Sequence, residues 1–350
     1  MEDKKGNFEK IKIGTIFNVV RKQFKMKNKI SRRKAISTTL KASLGALGGY
    51  AFTANTQKET SIIAQSANTL PMRISLNTST LLHYKLAADV QIDMVAEAGF
   101  NGIELWMRDI KTYLDKGGKP EDLRDKLLSQ KLTLENIIGF SKWCSDDPEE
   151  RKEAIDQLRA EMMIIAALGG AYIAAPVQGI TALDRNKYDD YAERYNTILE
   201  LGDETGVTPI IELWGMGALN KVADCAQIVI ATGHPKATML LDFYHVYRGG
   251  NDWDTIDVLN AKRLPVIHMN DYPATPSYEK LKDSDRVLPG EGVCPFNEII
   301  PKLYHAGFRG GFSVELFNKG YWETMDAKTL LKHSYEKTFN IVQKALSNTI

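Results

Sequence analysis

The sequence predicts a (β/α)8 barrel, and three observations support this fold class. Short β-branched runs alternate with longer segments of helical periodicity over about 280 residues, which implies parallel strands joined by crossover helices. There are eight such units, and their combined length suits a barrel, whose usual size is ~250 residues. No G-x-G-x-x-G follows the first strand, where a doubly wound dinucleotide-binding fold would carry it. A barrel is therefore favoured over an open sheet.

The elements can be placed in order along the chain. The strand-like runs are RISLNTS (73–79), GIELW (102–106), LTLENIIGF (132–140), AYIAAP (171–176), TPIIELW (208–214), TMLLDFYH (238–245), LPVIHMND (264–271) and GFSVELF (311–317). Eight helical segments are expected, one after each strand, and several end in a glycine directly before the next strand, as at Gly99, Gly169 and Gly307. Residues 70–350 are thus predicted to form one catalytic barrel domain.

Residues 1–69 are predicted to be an N-terminal extension that carries an export signal. From Met26 the chain has a basic start, the arginine pair Arg32-Arg33, a mildly apolar stretch of small residues, and a candidate cleavage site at 49–51. This layout predicts twin-arginine export to the periplasm, with a cytoplasmic location if the signal is not functional. The apolar stretch is too polar for a membrane span. The true start codon and the cleavage site stay open.

The charge distribution argues against a nucleic-acid partner. Residues 1–51 carry 13 of the 45 lysines and arginines and 3 of the 44 acidic residues. The rest of the chain therefore has 32 basic and 41 acidic residues, a net charge of −9. Nucleic-acid-binding proteins normally present a basic footprint, so the acidic body favours a small-molecule substrate.

Acidic residues and one histidine stand at the ends of apolar strands. Glu212, Asp242, His268 and Glu315 end strands five to eight, and Glu104 lies in strand two. In a barrel these ends meet at one rim, where catalytic residues normally lie. Buried carboxylates are costly unless they are compensated, and a divalent cation is the simplest compensation for such a cluster. Mostly oxygen ligands suit Mn²⁺, Mg²⁺ or Co²⁺, and Zn²⁺ also fits.

The motifs IIELWG, LLDFYHVYRGG, VIHMNDYP, DRVLPGEG and FSVELFN resemble the xylose-isomerase-like barrels from about Pro71 onward. That family includes sugar phosphate isomerases and epimerases, ketose 3-epimerases, inosose isomerases and dehydratases, and endonuclease IV. The resemblance implies one divalent metal, Mn²⁺ by preference, on the four residues that end the last four strands. It also implies substrate contacts by His245 and Arg286. Glu104 is assigned to substrate binding as well, with a structural role left open. Three tryptophans near strand ends, Trp106, Trp143 and Trp214, could wall a sugar ring or pack in the core.

The resemblance implies an isomerase or epimerase that removes a proton beside the carbonyl of a keto-sugar, keto-glycoside or cyclitol and passes through an enediolate. Glu212 and Glu315 are the candidate base and acid. A lyase or dehydratase of an inosose, a 3-keto-glycoside or 3-dehydroshikimate stays open, as does a non-catalytic sugar-binding protein. Endonuclease activity is disfavoured because the extra histidines of that enzyme are absent. Export favours an unphosphorylated substrate, and the oligomeric state stays undetermined.

Overall fold

A computed structural model describes residues 70–347, so the predicted export signal lies outside the described residues. Eight parallel strands close a barrel in chain order, with β8 paired to β1, which confirms the predicted fold class. The strands are β1 (Arg73–Asn77), β2 (Gly102–Trp106), β3 (Thr133–Ile138), β4 (Tyr172–Pro176), β5 (Thr208–Glu212), β6 (Met239–Asp242), β7 (Val266–Met269) and β8 (Gly311–Val314).

Helices fill the connections between the strands. They are α1 (Ala88–Glu97), α2 (Met107–Asp115), α3 (Pro120–Ser129), α4 (Pro148–Leu168), α5 (Tyr188–Thr205), α6 (Val222–Thr232), α7 (Phe243–Arg248), α8 (Phe296–His305), α9 (Lys319–Thr324) and α10 (Ala327–Leu346). Within residues 70–347, no helix is long and apolar enough to cross a membrane.

The expected pattern of one helix after each strand does not hold everywhere. Two helices, α2 and α3, connect β2 to β3, and α9 and α10 both follow β8. The β6–β7 connection has only the six-residue α7 and two short 3-10 turns. Its segment after α7 begins with Gly249-Gly250 and reaches β7 through Pro265, and neither glycine nor proline sustains a helix.

Strand alternation fills the barrel interior with two kinds of layer. Side chains two residues apart in a strand point to the same face, and in β5, β6 and β7 an inward-facing apolar residue is followed by an inward-facing polar one. Ile210, Leu240 and Val266 form a small apolar cluster inside the barrel. Two residues further along the same three strands lie Glu212, Asp242 and His268. The apolar layer therefore closes the barrel beneath the polar one.

A register shift in β3 brings two consecutive residues into the interior. Ile103 pairs with Leu134, but Glu104 pairs with Asn136, so Glu135 is the extra residue of a bulge. Glu135 contacts Ser75 of β1, and Asn136 contacts Glu104 of β2. A regular strand would have pointed these neighbours to opposite faces.

Candidate metal centre and active site

The structure brings the four predicted ligands together at the carboxyl ends of β5 to β8. Glu212 and Asp242 are the last residues of β5 and β6, His268 lies in β7, and Glu315 directly follows β8. Glu212 and Glu315 are each 4% exposed, and Asp242 and His268 are fully buried. The short buried strands thus hold three acids and one imidazole away from bulk water.

The Nδ1 atom of His268 is the centre of this group. It lies 3.1 Å from Glu315 Oε2, 3.5 Å from Asp242 Oδ2 and 3.6 Å from Glu212 Oε1. Nδ1 is buried and has no hydrogen-bond partner among residues 70–347. For this buried ring nitrogen, which is surrounded by carboxylate oxygens, the described part of the chain supplies no hydrogen-bond partner of suitable geometry.

The donor set fits a divalent metal. Ligand atoms of Glu212, His268 and Glu315 all lie within 4.8 Å of one another. Atoms that each lie ~2.1 Å from one ion are separated by roughly 3–4 Å, so small side-chain adjustments would complete such a site. One imidazole nitrogen with carboxylate oxygens suits Mn²⁺, Co²⁺ and Zn²⁺. Asp242 lies beside these three residues but has other partners as well.

Arg286 is the principal cation of the site. The residue is 1% exposed, and its Nη1 donates to Asp242 Oδ2 and Glu315 Oε2, each at 2.8 Å. Its guanidinium carbon lies 4.3 Å from the centre of the Tyr244 ring. Arg286 therefore touches two of the predicted metal ligands directly, and sequence reasoning had assigned it only to the substrate.

Asp271 fixes the loop that carries Arg286. Its carboxylate accepts hydrogen bonds from the backbone N–H groups of Tyr272, Gly290, Gly292 and Cys294 at 2.8 to 3.0 Å. A Cβ on Gly292 would meet the Tyr272 carbonyl oxygen and the Asp271 carboxylate, so glycine is required there. The P-G-E-G segment is thus held close to the end of β7.

His245 lies one helical turn after Asp242, at the start of α7. Its backbone N–H donates to Asp242 Oδ1, which caps the helix. Its Nε2 lies 3.1 Å from Arg286 Nη2 and must accept, because a guanidinium only donates. The proton is therefore on Nδ1, which is buried without a partner among the described residues. Burial, together with the charge of Arg286, lowers the pKa of His245 to about 4 against the opposing effect of Asp242, so the ring is neutral.

Glu104 lies behind His268 and not at the rim. Both of its carboxylate oxygens are 3.2 Å from His268 Nε2, on the nitrogen opposite the three acids. Asn136 Nδ2 donates to Glu104 Oε2 at 2.9 Å. Glu104 is fully buried. Its predicted assignment to substrate binding stays a prediction, and its direct contact is the imidazole.

The excess of acid shifts the pKa values within the site. Burial and the neighbouring charges of Glu315 and Asp242 raise the pKa of Glu212 to about 8, although His268 opposes this shift. Burial alone would lower the pKa of His268, but the charges of Glu315 and Glu104 outweigh it and raise that pKa. Burial would also raise the pKa of Asp242, but Arg286 holds it well below its usual range. The negative charge of Asp242 is thus balanced by Arg286, whereas that of Glu212 is not balanced by the neighbouring residues.

Sequence reasoning missed the asparagines that support the acids. Asn77, the last residue of β1, donates from Nδ2 to Glu315 Oε1 at 2.9 Å and accepts at Oδ1 from Trp106 Nε1 at 2.8 Å. Asn270 Nδ2 donates to Asp242 at 3.3 and 3.4 Å. The predicted first strand extended to Ser79, whereas β1 ends at Asn77, so the position of Asn77 at the rim was not apparent from the sequence.

Aromatic rings form an arc beside the acids. The centre of the Trp106 ring lies 5.2 Å from that of Phe140 and 6.2 Å from that of Phe317, and Phe140 lies 5.9 Å from Trp214. Phe140 is 43% exposed. Trp143 does not belong to this arc. It is fully buried and donates from Nε1 to the Pro176 carbonyl oxygen, so it packs in the core.

The family of this protein follows from a match to a family model, and the closed eight-stranded barrel agrees with it. The chain belongs to the xylose isomerase-like TIM barrel family, whose model matches residues 92–338. This finding confirms the resemblance that the strand-end motifs indicated.

Individual relatives are enzymes of low sequence identity. An inosose isomerase from Bacillus licheniformis is 26% identical over 290 residues, which cover 78% of this chain and 99% of that protein. An inosose dehydratase from Lacticaseibacillus casei is 26% identical over 258 residues, covering 64% of this chain and 80% of the relative. The crystal structure of the IOLI protein with a bound zinc atom superposes with a TM-score of 0.71 at 20% identity, covering 79% of this chain and all of that one.

Proposed function

We propose that this protein is a divalent-metal-dependent isomerase or epimerase that acts on an unphosphorylated keto-sugar, keto-glycoside or cyclitol. The observation that carries the proposal is the pair Glu212 and Glu315, which approach His268 Nδ1 from β5 and β8 at 3.6 and 3.1 Å. Two buried carboxylates beside one metal-compatible nitrogen are what proton removal and return next to a carbonyl require. The inosose isomerase relative supports the substrate class.

Glu212, His268 and Glu315 would hold the ion, with Asp242 as the fourth ligand. The metal would polarise the substrate carbonyl and so acidify the adjacent C–H group. A preference for Mn²⁺ is part of the proposal, and the zinc atom in the IOLI structure supports a divalent ion at such a site.

The two glutamates would exchange the substrate proton. Glu315 is held by Arg286 on one oxygen and by Asn77 on the other, so its position is fixed. Without an ion, burial and the neighbouring acids raise the pKa of Glu212 to about 8, so this carboxyl group would release a proton when it binds a cation. One of the two would remove the proton as general base while the other returns it. Return on the opposite face of the same carbon gives epimerisation. Return on the neighbouring carbon, with the hydroxyl proton passing to the former carbonyl oxygen, gives isomerisation.

Other groups would bind the substrate. The Nδ1–H group of His245 has no partner within residues 70–347 and would suit a substrate oxygen. The arc of Trp106, Phe140 and Trp214 suits the C–H face of a sugar ring. Arg286 is already bonded to Asp242, Glu315 and Asp283, which leaves it poorly suited to bind a phosphate group. This arrangement supports an unphosphorylated substrate.

A dehydratase is the second candidate, because one relative is an inosose dehydratase. The first step, removal of a proton beside a carbonyl, would be the same. The outcomes diverge afterwards, when a β-hydroxyl group leaves in place of reprotonation. Product analysis separates the two functions.

Proton exchange in D₂O, followed by NMR, tests the proposal. The Mn²⁺-loaded protein would be incubated with free ketoses, inososes and 3-keto-glucosides, and with the corresponding sugar phosphates. We expect deuterium beside the carbonyl with the wild type and with Glu323→Gln, an exposed control, but not with Glu315→Gln. Exchange that persists in Glu315→Gln would overturn the assigned role. Metal binding without exchange of any substrate would favour a sugar-binding protein, and preferential turnover of a phosphate would refute the substrate class.

Export by the twin-arginine route is part of the same proposal, and it rests on sequence alone. A full-length protein with Arg32 and Arg33 both changed to lysine should stay in the cytoplasm, while the wild type should appear in the periplasm without its leader. Equal periplasmic amounts of both proteins would refute this route.

A further inference from the structure

The motif GIELW contains a glutamate that the proposed reaction does not use. Glu104 lies in the interior of β2, and its carboxylate is fully buried. It faces the imidazole of His268 and not the space between Glu212 and Glu315. A buried carboxylate is costly, so its retention in an already acidic site calls for a specific role.

The two nitrogens of His268 have separate surroundings. Nε2 lies 3.2 Å from both oxygens of Glu104, while Nδ1 lies 3.1 to 3.6 Å from the oxygens of Glu315, Asp242 and Glu212. If Nε2 donates its proton to Glu104, the lone pair of Nδ1 is available for a metal. The carboxylate therefore decides which nitrogen can act as the ligand.

Glu104 is itself held in place. Asn136 donates to its Oε2 at 2.9 Å, and the β3 bulge is what turns Asn136 inward. Asn136 is 1% exposed, and Glu104 pairs in register with Asn77 of β1 as well as with Asn136 of β3. The contact with His268 is thus a fixed part of the barrel wall.

We propose that Glu104 is a positioning residue that holds His268 with Nδ1 directed toward Glu212, Asp242 and Glu315. The inference rests on the proposed metal function and deepens it, because it assigns a role to a residue outside the ligand set. Carboxylates that orient ligating histidines typically contribute 10–100-fold to metal affinity. Loss of Glu104 acts on metal binding first and on turnover only as a consequence.

The test measures Mn²⁺ affinity by calorimetry in wild type, Glu104→Gln and Glu104→Ala. Glu135→Gln is the matched control, because Glu135 is a buried barrel glutamate that contacts Arg73 and Ser75 and does not contact His268. We expect the Kd to weaken by about 10–100-fold in Glu104→Ala, less in the isosteric Glu104→Gln, and not in the control. Glu104→Gln also keeps the test valid if the alanine variant does not fold.

Two further readouts separate positioning from other roles. In the Zn²⁺-loaded wild type, long-range ¹H–¹⁵N correlation should show the His268 proton on Nε2, and Glu104→Ala should lose this single form. Saturating Mn²⁺ should restore the KM of the Glu104 variants, whereas a direct substrate contact would leave KM raised. An unchanged Kd in both variants, with wild-type metal binding intact, would overturn this inference alone. A wild type that binds no metal would overturn the proposed function together with it.

Discussion

Two charged clusters with buried carboxylates lie in the same barrel, one at each end of the strands. The cluster at the amino ends consists of Arg73, Ser75 and Glu135. Glu135 accepts from Arg73 Nε at 2.6 Å and Nη2 at 2.8 Å, and from Ser75 at 2.9 Å. One acid faces one base in a bidentate pair, so the charges balance. A Cβ on Gly311 would lie 2.7 Å from Glu135 Oε1, so glycine leaves the space that the pair occupies.

The cluster at the carboxyl ends is not balanced in this way. It brings four carboxylates, those of Glu104, Glu212, Asp242 and Glu315, around His268 and Arg286. Glu104 Oε1 and His268 Nδ1 have no hydrogen-bond partner within residues 70–347. The comparison teaches that burial of charge by itself does not mark a site. The mark is a buried excess of acid arranged around an unpaired ligand atom.

The largest expected difference between the clusters is catalytic. Glu212→Gln should lower the rate of proton exchange by roughly 10²–10⁴-fold, the usual contribution of a general acid or base. Glu135→Gln should stay within a few-fold of wild type, because Glu135 contacts Arg73 and Ser75 at the opposite end of the strands. Exchange rates measured by NMR at saturating Mn²⁺ check this difference. Equal losses in both variants would mean that the two clusters are not functionally distinct.

Removal of the site's own cation should be rescued by metal. Arg286→Gln leaves Asp242 and Glu315 uncompensated, which should cost about 3–5 kcal/mol in the metal-free protein. A divalent ion supplies the missing charge, so the increase in Tm on adding Mn²⁺ should be larger in the variant than in the wild type. Thermal unfolding with and without EDTA measures both values. A smaller metal-induced increase in the variant would indicate that Arg286 helps to form the metal site.

The balanced cluster should matter more for stability. Glu135→Gln breaks its bidentate pair and should lower the free energy of unfolding by about 1–3 kcal/mol, below the value for a fully buried pair because the Arg73 side chain is 37% exposed. Glu212→Gln should not destabilise the metal-free protein, since it removes an acid that burial disfavours. Urea unfolding of both variants in EDTA gives the two values. A larger loss in Glu212→Gln would reverse the comparison.

Stability should depend on pH through Glu212. Its pKa of about 8 in the folded protein lies above the ordinary value of 4.5, so the folded state binds the proton more tightly than the unfolded state. The metal-free protein therefore loses stability as the pH rises from about 4.5 to about 8. Because Glu212→Gln cannot titrate, the gain in stability from this substitution should grow over that window. A gain that is flat with pH would show that Glu212 is ionised throughout.

The smallest effect is expected at the aromatic rim. Trp106→Phe keeps a ring beside Phe140 but removes the Nε1–H bond to Asn77, which holds Glu315. Loss of one hydrogen bond of this kind, about 0.5–1.5 kcal/mol, should lower kcat/KM by roughly 2–10-fold. Steady-state kinetics with the matched change Trp322→Phe, which removes a bond to the Thr80 carbonyl, provide the comparison. Indistinguishable kinetics in the two variants would mean that Asn77 does not need the indole.

The sequence alone determined the barrel and its eight strands, because a parallel barrel requires a local, repeated pattern of short apolar runs and helices, several of which end in glycine. It also indicated Glu212, Asp242, His268 and Glu315, since each lies at or next to the end of such a run. The expectation of exactly one helix per connection was wrong in detail, because two helices connect β2 to β3, two follow β8, and the helix after β6 has only six residues.

The tertiary structure alone decided the partners of these residues. Contacts across the barrel join positions far apart in the chain, as between Asn77 and Glu315 or Glu104 and His268, and no local pattern encodes them. The bulge that turns both Glu135 and Asn136 inward is a register effect between strands. Periodicity fixes which face of the strand a side chain points to, but only the closed barrel fixes which atom it meets across the interior. The distances between those atoms decide whether a group of charged residues forms a salt bridge or a candidate metal site.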